Sequence, residues 1–271
     1  RAWLAAAALA LLPASQAWAQ FRVEISGVGA TQVPVAIAKF KAEGTAPQAI
    51  SAIIKADLER SGQFKMLDVP GDKLDDTSRP PLAEWKTKAD ALVLGSVTML
   101  ADGRYDIRFR LWDTLKGSDQ GGQSLVVTAG ALRLGAHRAA DFIYEKLTGE
   151  KGAFATRIAY VSKVGRHYTL NVADADGEGV QSSLTSPASI ISPAWSPDGR
   201  QLAYVSFEGG KAIIVVLDVL SGQRRILAAF KGTNSAPAWS PDGAHLVVTL
   251  SREGGSQLYV IGTSGGAVRR L

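Results

Sequence analysis

The first half of the chain, residues 20–150, mixes two hydrophobic periods. Short apolar runs bounded by turn residues are typical of strands, and the strict alternation from Tyr105 to Trp112 indicates a half-exposed antiparallel strand. The predicted strands cover 33–40, 64–69, 91–100, 105–112 and 123–130. With two predicted helices, the order is strand, helix, four strands and helix, which indicates a small α/β domain.

The two helices are predicted from apolar residues at helical spacing. In the first, this spacing runs from Ile50 to Leu58, Thr45 can cap the amino terminus, and Gly62 follows as a stop. The second helix covers 132–149 and ends at its final glycine. Both helices are amphipathic, so each is expected to bury one side against the predicted strands.

Beyond residue 150 the helical period disappears and the sequence repeats every 44 residues. The hexapeptide AWSPDG occupies 194–199 and again 238–243. Equivalent apolar strands begin at Ile158, Leu202 and Leu246. Each complete copy holds four short strands, and units of this length and content are typical of β-propeller blades. A partial propeller over 151–271 is therefore predicted.

The hexapeptide predicts a strand followed by a tight turn. Pro sets φ at the second turn position, Asp bonds the nearby backbone, and Gly accepts positive φ. Trp195 and Trp239 end their strands, and packing between neighbouring blades is favoured over stacking on a ligand. The first copy, 158–184, has no such strand before it. Because propellers need at least four blades, further blades are expected after Leu271, with a strand from them completing the first blade.

Composition narrows the function classes. The 271 residues are 46% hydrophobic and 20% charged, so the chain can bury a core. The net charge of +5 is spread along the chain without runs of one sign, which gives no support for a nucleic-acid partner. The absence of cysteine excludes thiol chemistry, disulfides and cysteine-bound metals. No cofactor is predicted.

The amino-terminal segment has the pattern of a secretory signal. Arg1 precedes an unbroken apolar run from Leu4 to Leu12, and Ala17-Trp18-Ala19 is the small-x-small pattern of a cleavage site. We predict a signal peptide over 1–19, cleaved between Ala19 and Gln20. The alternative is a membrane anchor, but the nine-residue run is short of the roughly 20 residues that a span requires. An exported, soluble mature protein is expected.

Isolated motifs give little support for catalysis or metal binding. GTSGG at 262–266 fits the nucleophile-elbow pattern, but a predicted strand follows Ser264 where that motif needs a helix, so a hairpin turn is favoured. His137, His167 and His245 fall on a predicted helix, strand and turn without metal-ligand spacing.

Two charged clusters also favour structural roles over ligand binding. Asp72, Asp75 and Asp76 lie in a predicted loop over 72–81 that also carries basic residues, and a solvated loop is favoured over a calcium site. The pairs Arg224-Arg225 and Arg269-Arg270 fall on the predicted outermost strands. Protection of sheet edges is favoured there over phosphate binding.

The order of signal, small α/β domain and WSPDG repeats resembles the TolB family, most specifically over 192–227, SPAWSPDGRQLAYVSFEGGKAIIVVLDVLSGQRRIL. The resemblance covers essentially the whole chain. It implies a six-bladed propeller, of which about three blades are present here, and a non-catalytic periplasmic scaffold of the Tol-Pal system. In that family the propeller docks the lipoprotein Pal and the mature amino terminus docks TolA. These contacts support outer-membrane integrity and constriction at cell division, and some bacteriocins use the same surfaces.

The resemblance also implies contact residues. Those for Pal would lie in loops before the AWSPDG strands: Ser189, Ile190, Ile191, Ser192, Thr233, Asn234, Ser235 and Ala236. Those for TolA would be Gln20, Phe21, Arg22, Val23, Glu24, Ile25, Ser26, Gly27, Val28 and Gly29. The alternation of this tail suits addition to a partner sheet, although it also fits a first strand of the α/β domain.

A second class of function shares the WSPDG repeats. They also occur in the propellers of prolyl-oligopeptidase-like serine peptidases. That alternative requires an α/β-hydrolase domain carrying Ser, Asp and His in that order, and the sequence at hand has none. The domain order therefore favours the scaffold.

Overall fold

The computed structural model describes residues 32–69 and 74–271. The predicted signal peptide, its cleavage site and the tail Gln20–Gly29 lie outside the described residues. The α/β prediction for the first half is confirmed by a mixed five-stranded sheet in the order β2-β1-β3-β4-β5. Its strands are β1 Val33–Ile37, β2 Phe64–Asp68, β3 Ala91–Met99, β4 Tyr105–Asp113 and β5 Ser118–Val127. The helices are α1 Ile50–Arg60, α2 Leu82–Trp85 and α3 Leu132–Thr148.

The sheet is parallel where a helix connects its strands and antiparallel elsewhere. β1 pairs with β2 and β3 in parallel, whereas β3, β4 and β5 form an antiparallel meander. The meander is longer than predicted, because β5 begins at Ser118 rather than at residue 123 and pairs along most of β4. The short helix α2 was not predicted.

Helices α1 and α3 cover one face of the sheet and enclose the main core of this domain. Ile54 and Leu58 of α1 are fully buried. On α3 the buried side is built from small residues, and a Cβ added at Gly135 would lie 2.7 Å from Ile107 Cδ1. Gly135 therefore allows the helix to approach β4 at a distance that a larger residue would prevent.

The predicted cap of α1 is wrong. Thr45 lies in the 3₁₀ turn Glu43–Thr45, where its hydroxyl donates to the Ala42 carbonyl. The buried carboxylate of Glu43 instead accepts hydrogen bonds from the Ser51 amide at 3.0 Å and from the Ser51 hydroxyl at 2.7 Å. A carboxylate at this end of the helix satisfies free amides and suits the helix dipole.

The predicted solvated loop over 72–81 is wrong at Asp75, whereas Asp72 lies outside the described residues. Asp75 is buried and accepts hydrogen bonds from Lys41 at 2.8 Å and from the Thr77 and Ser78 hydroxyls. The hydrogen bond from Lys41 comes first among the interactions that hold the pKa of Asp75 well below its ordinary value. Asp75 therefore organises this loop over the sheet face that α1 and α3 leave uncovered.

The second half forms three antiparallel sheets, which confirms the partial propeller. The first has three strands, β6 Arg157–Val164, β7 His167–Asp174 and β8 Gln181–Ser186. The second has β9 Ile190–Trp195, β10 Gln201–Ser206, β11 Ile213–Asp218 and β12 Arg224–Ala228. The third has β13 Asn234–Trp239, β14 His245–Leu250, β15 Gln257–Gly262 and β16 Val268–Arg270. Within the described residues the first blade has no strand equivalent to β9 and β13.

The second blade is buried on both faces because it lies between the other two. Alternate residues of a strand point to opposite faces. Ala203 and Val205 of β10 accordingly pack towards the third blade, whereas Leu202 and Tyr204 pack towards the first. This two-sided burial explains why β10 and β11 read as continuous apolar runs rather than as alternating strands.

Candidate functional site

The innermost strands β9 and β13 carry the same backbone irregularity at equivalent positions. Ser192 has φ of 54° and Ala236 has φ of 50°, and the two residues are one repeat apart. In the second blade Ile191 pairs with Val205 and Ala194 pairs with Ala203, so two residues face one across the ladder. The third blade shows the same shift between Ser235 and Ala238. Each inner strand therefore contains a β-bulge.

These bulges are strained features on an accessible part of the blade. A non-glycine residue in the left-handed region costs about 1–2 kcal/mol. Both Ser192 and Ala236 are exposed, and each is followed by a proline, Pro193 or Pro237. Bulges and strained backbone are concentrated near functional sites, where they redirect side chains. The bulged inner strands are thus a candidate binding face.

The eight residues expected to form Pal-binding loops do not lie mainly in loops. β9 begins at Ile190 and β13 begins at Asn234, so only Ser189 and Thr233 precede the strands. The predicted positions are equivalent in the two repeats, but the strands begin before the predicted loops end. The bulge allows strand pairing to continue past a residue with positive φ.

Two of those eight residues are buried. Ile190 belongs to the core between the first two blades. Asn234 donates from its side-chain amide to the carbonyls of Ala212 and Phe230, and its Oδ1 accepts from the Phe230 amide. These two residues hold the strand in place. Exposed surface is left at Ile191, Ser192, Thr233 and Ala236, with Ser189 and Ser235 partly exposed.

The two tryptophans lie between blades, as predicted. Trp239 packs in the core between the second and third blades, and its Nε1 donates to the Ala194 carbonyl at 3.0 Å. Trp195 packs between the first and second blades, and the Arg157 guanidinium lies 4.8 Å from its ring centroid. The turn after each strand is closed by its serine and aspartate, as in the bond from the Ser196 hydroxyl to Asp198.

A second polar cluster, which sequence reasoning missed, joins the two halves of the chain. His137 on α3 is 1% exposed, and its Nδ1 lies 2.6 Å from Asp57 Oδ2 on α1. Its Nε2 faces Asp174 and Asp176 of the first blade at 3.7 and 3.9 Å. Arg133, one turn earlier on α3, donates to the same two carboxylates. We call these five residues the junction cluster.

The charges of the junction cluster explain its protonation. Burial lowers the pKa of His137, but the hydrogen bond to Asp57 and the charges of the carboxylates outweigh burial, so this pKa lies above its ordinary value. Burial also opposes ionisation of Asp176, yet the Glu178 amide and Arg133 bring its pKa below the ordinary value. Asp176 is thus favoured as an anion and the imidazole of His137 as a cation.

The junction cluster includes a set of metal-type donors. Ligand atoms of Asp57, His137 and Asp176 lie within 4.8 Å of one another. However, Arg60 binds the Asp57 carboxylate at 2.9 Å and Arg133 binds Asp176, so guanidinium groups already balance these charges. The arrangement fits an ionic contact between domains better than a metal centre. Nothing in the sequence signals this cluster, because His137 and Asp57 are 80 positions apart and become neighbours only in the folded chain.

The connection from α3 to β6 is held by one side chain. Asp141 accepts hydrogen bonds from the backbone amides of Phe154 at 2.7 Å and Ala155 at 3.1 Å. Burial comes first among the effects on Asp141 and raises its pKa. Gly152 lies against the same aspartate, and a Cβ added there would lie 2.7 Å from Asp141 Cα. The connection is therefore packed onto α3.

The remaining candidate residues fall into structural roles. Ser264 lies in the turn between β15 and β16, so the hairpin prediction is confirmed. Arg224 and Arg225 lie on β12 at the edge of the second blade, where Arg224 binds Glu208 at 3.1 Å. Arg269 and Arg270 occupy the equivalent edge of the third blade. His167 begins β7 and the exposed His245 begins β14, which corrects the predicted turn at residue 245.

Together these features define a β-propeller protein with a small amino-terminal α/β domain packed against its first blade. The family described as "TolB amino-terminal domain" matches residues 21–120, and the "TolB beta propeller domain" matches residues 144–271. The chain belongs to the TolB family. In the described ranges, no helix has both the length and the apolar composition needed to cross a bilayer.

Relatives and a solved structure agree with this family. "Tol-Pal system protein TolB" of Albidiferax ferrireducens is 63% identical over 219 residues, covering 80% of this chain and 52% of that protein. The Bordetella pertussis protein of the same name is 50% identical over 272 residues, covering 98% of this chain and 62% of that protein. The crystal structure of TolB from Acinetobacter baumannii has a TM-score of 0.78 at 33% identity, covering 89% of this chain and 60% of that one. The chain thus spans between about half and two thirds of these relatives.

Proposed function

We propose that the protein is a non-catalytic scaffold of the Tol-Pal system in the periplasm. Its family and the name shared by its relatives support this role. As a scaffold it docks the lipoprotein Pal on the propeller and TolA through its amino-terminal tail. These contacts serve outer-membrane integrity and envelope constriction at division, and bacteriocins use the same surfaces.

The observation that carries the Pal site is the repeated bulge of the inner strands. Ser192 and Ala236 hold the same strained conformation in successive blades, and both are exposed. A strained backbone that recurs at one position of a repeat implies a shared role for that position. Because the bulges lie within hydrogen-bonded sheets, the face is preformed, which lowers the entropy cost of docking.

The proposed face is smaller than the set of eight residues derived from the resemblance. It comprises Ile191, Ser192, Thr233 and Ala236, with Ser189 and Ser235 at its margin. Ile190 and Asn234 support it from within the blades. The TolA contact remains a separate proposal for Gln20–Gly29, which lie outside the described residues.

The Pal contact is tested by titrating Pal against the full-length protein and its Ala236→Glu variant. A bulky charge at a central contact costs on the order of 2 kcal/mol, about a thirty-fold loss of affinity. Ala244→Glu makes the same chemical change at an exposed position of the same blade, outside the bulge, and should leave affinity unchanged. Unchanged affinity in Ala236→Glu, with unchanged thermal melts, would remove Ala236 from the interface.

The TolA contact is tested by deleting residues 20–29 from the mature protein. The deletion should abolish TolA binding and leave Pal binding intact, because the two surfaces are proposed to be separate. Retained TolA binding would assign that partner to another surface. The serine-peptidase alternative predicts that a fluorophosphonate probe phosphonylates the catalytic serine with loss of fluoride, and specific labelling of the full-length protein would overturn the scaffold proposal.

A further inference from the structure

His137 lies where the two domains meet and has carboxylates on both sides of its ring. Nδ1 faces Asp57 of α1, while Nε2 faces Asp174 and Asp176, which end β7 and begin the following turn. The side chain is 1% exposed, and Nε2 has no hydrogen-bond partner within 3.5 Å among the described residues. The imidazole is therefore shielded from solvent, and its interactions with the carboxylates are screened less than they would be on the surface.

This geometry sets the number of protons that the ring needs. A neutral imidazole carries one N–H, so its other nitrogen would present a lone pair to a carboxylate. If Nδ1 keeps its hydrogen for Asp57, the lone pair of Nε2 points at two anions. An imidazolium has a hydrogen on both nitrogens and avoids this repulsion. The arrangement of oxygens around His137 therefore selects the doubly protonated ring.

The surrounding charges favour the same state. The acidic groups that act on His137 come from α1, α3 and the first blade: Asp57, Asp141, Asp174 and Asp176. The nearby fixed cations are Arg60 on α1 and Arg133 on α3. The guanidinium groups are fewer than the carboxylates, so an imidazolium brings the cluster nearer to neutrality.

We propose that the proton on His137 locks the amino-terminal domain onto the first propeller blade. The imidazolium links Asp57, which belongs to the domain, with Asp174 and Asp176, which belong to the blade. Arg133 binds the blade carboxylates whatever the pH, so loss of the proton weakens the contact without abolishing it. The strength of the contact between the domain and the blade thus depends on the titration of one side chain, His137.

The direction of the pH dependence follows from the raised pKa of His137. On undocking, His137 keeps Asp57, which belongs to its own domain, and loses Asp174 and Asp176, so its pKa is lower in the undocked state and docking is stabilised fully below that undocked value. This stabilisation disappears as the pH rises through the pKa of the docked state. Docking should therefore be firm in mild acid and looser in mildly alkaline solution.

The experiment follows His137 and the domains together in the full chain. The imidazole is titrated by NMR from pH 6 to pH 9. Because the chain has no cysteine, spin labels can be placed through Ala52→Cys on α1 and Val180→Cys on the first blade, both exposed positions. The interdomain distance distribution should broaden at the pH where His137 titrates. A titration below 6.5, or a distribution that does not change over this range, would overturn the proposal.

Variants separate the lock from a general effect of pH. Asp176→Asn removes one carboxylate and should lower both midpoints by on the order of one pH unit. His137→Gln should give a broad interdomain distance distribution that no longer depends on pH. If His137→Gln does not fold, the shift of the midpoints in Asp176→Asn tests the proposal by itself. His245→Gln, at an exposed histidine of the third blade, should match the wild type. Midpoints that stay in place in Asp176→Asn would contradict the lock.

Metal binding is the competing outcome. If Zn²⁺ narrows the distribution at pH 9 and a chelator broadens it at pH 6, the cluster holds an ion and the proton lock is wrong. If neither addition changes the distribution, the proton alone controls it. The arginines beside Asp57 and Asp176 make the second result the expected one.

Discussion

The indole Nε1 of Trp239 donates a hydrogen bond to the backbone carbonyl of Ala194 at 3.0 Å, which fastens the third blade to the innermost strand of the second. The equivalent tryptophan one repeat earlier does not have this bond: within the described part of the chain, Trp195 Nε1 is buried without a partner. One repeated residue thus makes two different contacts, depending on what the preceding blade presents.

Trp239→Phe should therefore lower the free energy of unfolding more than Trp195→Phe. Both changes keep most of the aromatic surface, but only the first removes a hydrogen bond between blades, at a cost of about 1 kcal/mol. Urea denaturation of the two variants measures the difference. Equal losses would show that the bond across the blades contributes nothing.

Gly152→Ala should destabilise the protein by about 1–3 kcal/mol, because its Cβ would overlap the backbone and carboxylate of Asp141. Gly130→Ala is the matched control, since a Cβ there meets no atom within 4 Å. Thermal melts compare them. If both variants melt like the wild type, the connection does not pack tightly onto α3.

Ala236→Gly should stabilise the protein, by about 0.5–1 kcal/mol, because relief of positive φ outweighs the extra freedom of glycine in the unfolded chain. Ala238 lies two residues further along the same strand and has no positive φ, so Ala238→Gly should lower the free energy of unfolding by a similar amount. Opposite signs in chemical denaturation are the expected result. A loss in both variants would mean that the bulge is unstrained.

Asp75→Asn should reduce stability at neutral pH and remove part of its acid dependence. The hydrogen bond from Lys41, followed by that from Thr77, keeps the pKa of Asp75 low in the folded state. Its contribution is therefore present above the unfolded value of 3.8 and is lost as the pH falls further.

The control for Asp75→Asn is Asp68→Asn. Lys55 also lowers the pKa of Asp68, but that side chain is 97% exposed, so water screens the pair. From pH 7 to pH 2, the difference in free energy of unfolding between wild type and Asp75→Asn should begin to shrink below about pH 4 and continue to shrink to the lowest pH, whereas Asp68→Asn should differ little from wild type. If the stabilities of wild type and Asp75→Asn depend on pH in the same way, the charge of the Asp75 carboxylate does not contribute to stability.

The sequence was sufficient for the elements that depend on local periodicity. The alternation in β4, the helical spacing in α1 and α3, and the 44-residue repeat each report a buried face directly, and all three were found in the structure. The inner-strand boundaries were missed because a bulge has no periodic signature and because Ser192 and Ala236 are not glycines.

The junction cluster could not be predicted, for a different reason. Its charged residues come from α1, α3 and the first blade, and each was ordinary in its own segment. His137 occupied a helical position with no partner at metal-ligand spacing, and Asp174 and Asp176 formed part of a turn motif. Only the packing of α3 against β7 makes these side chains neighbours. The same holds for Asp141, whose partners are backbone amides.

The hydrogen bonds from the Phe154 and Ala155 amides to Asp141 fix the point at which the chain leaves α3 for the first blade. His137 lies one helical turn before Asp141, about 6 Å along the axis. The first blade is therefore held at two neighbouring points of one helix, and it cannot swing about the anchored connection unless the contacts of His137 and Arg133 also break.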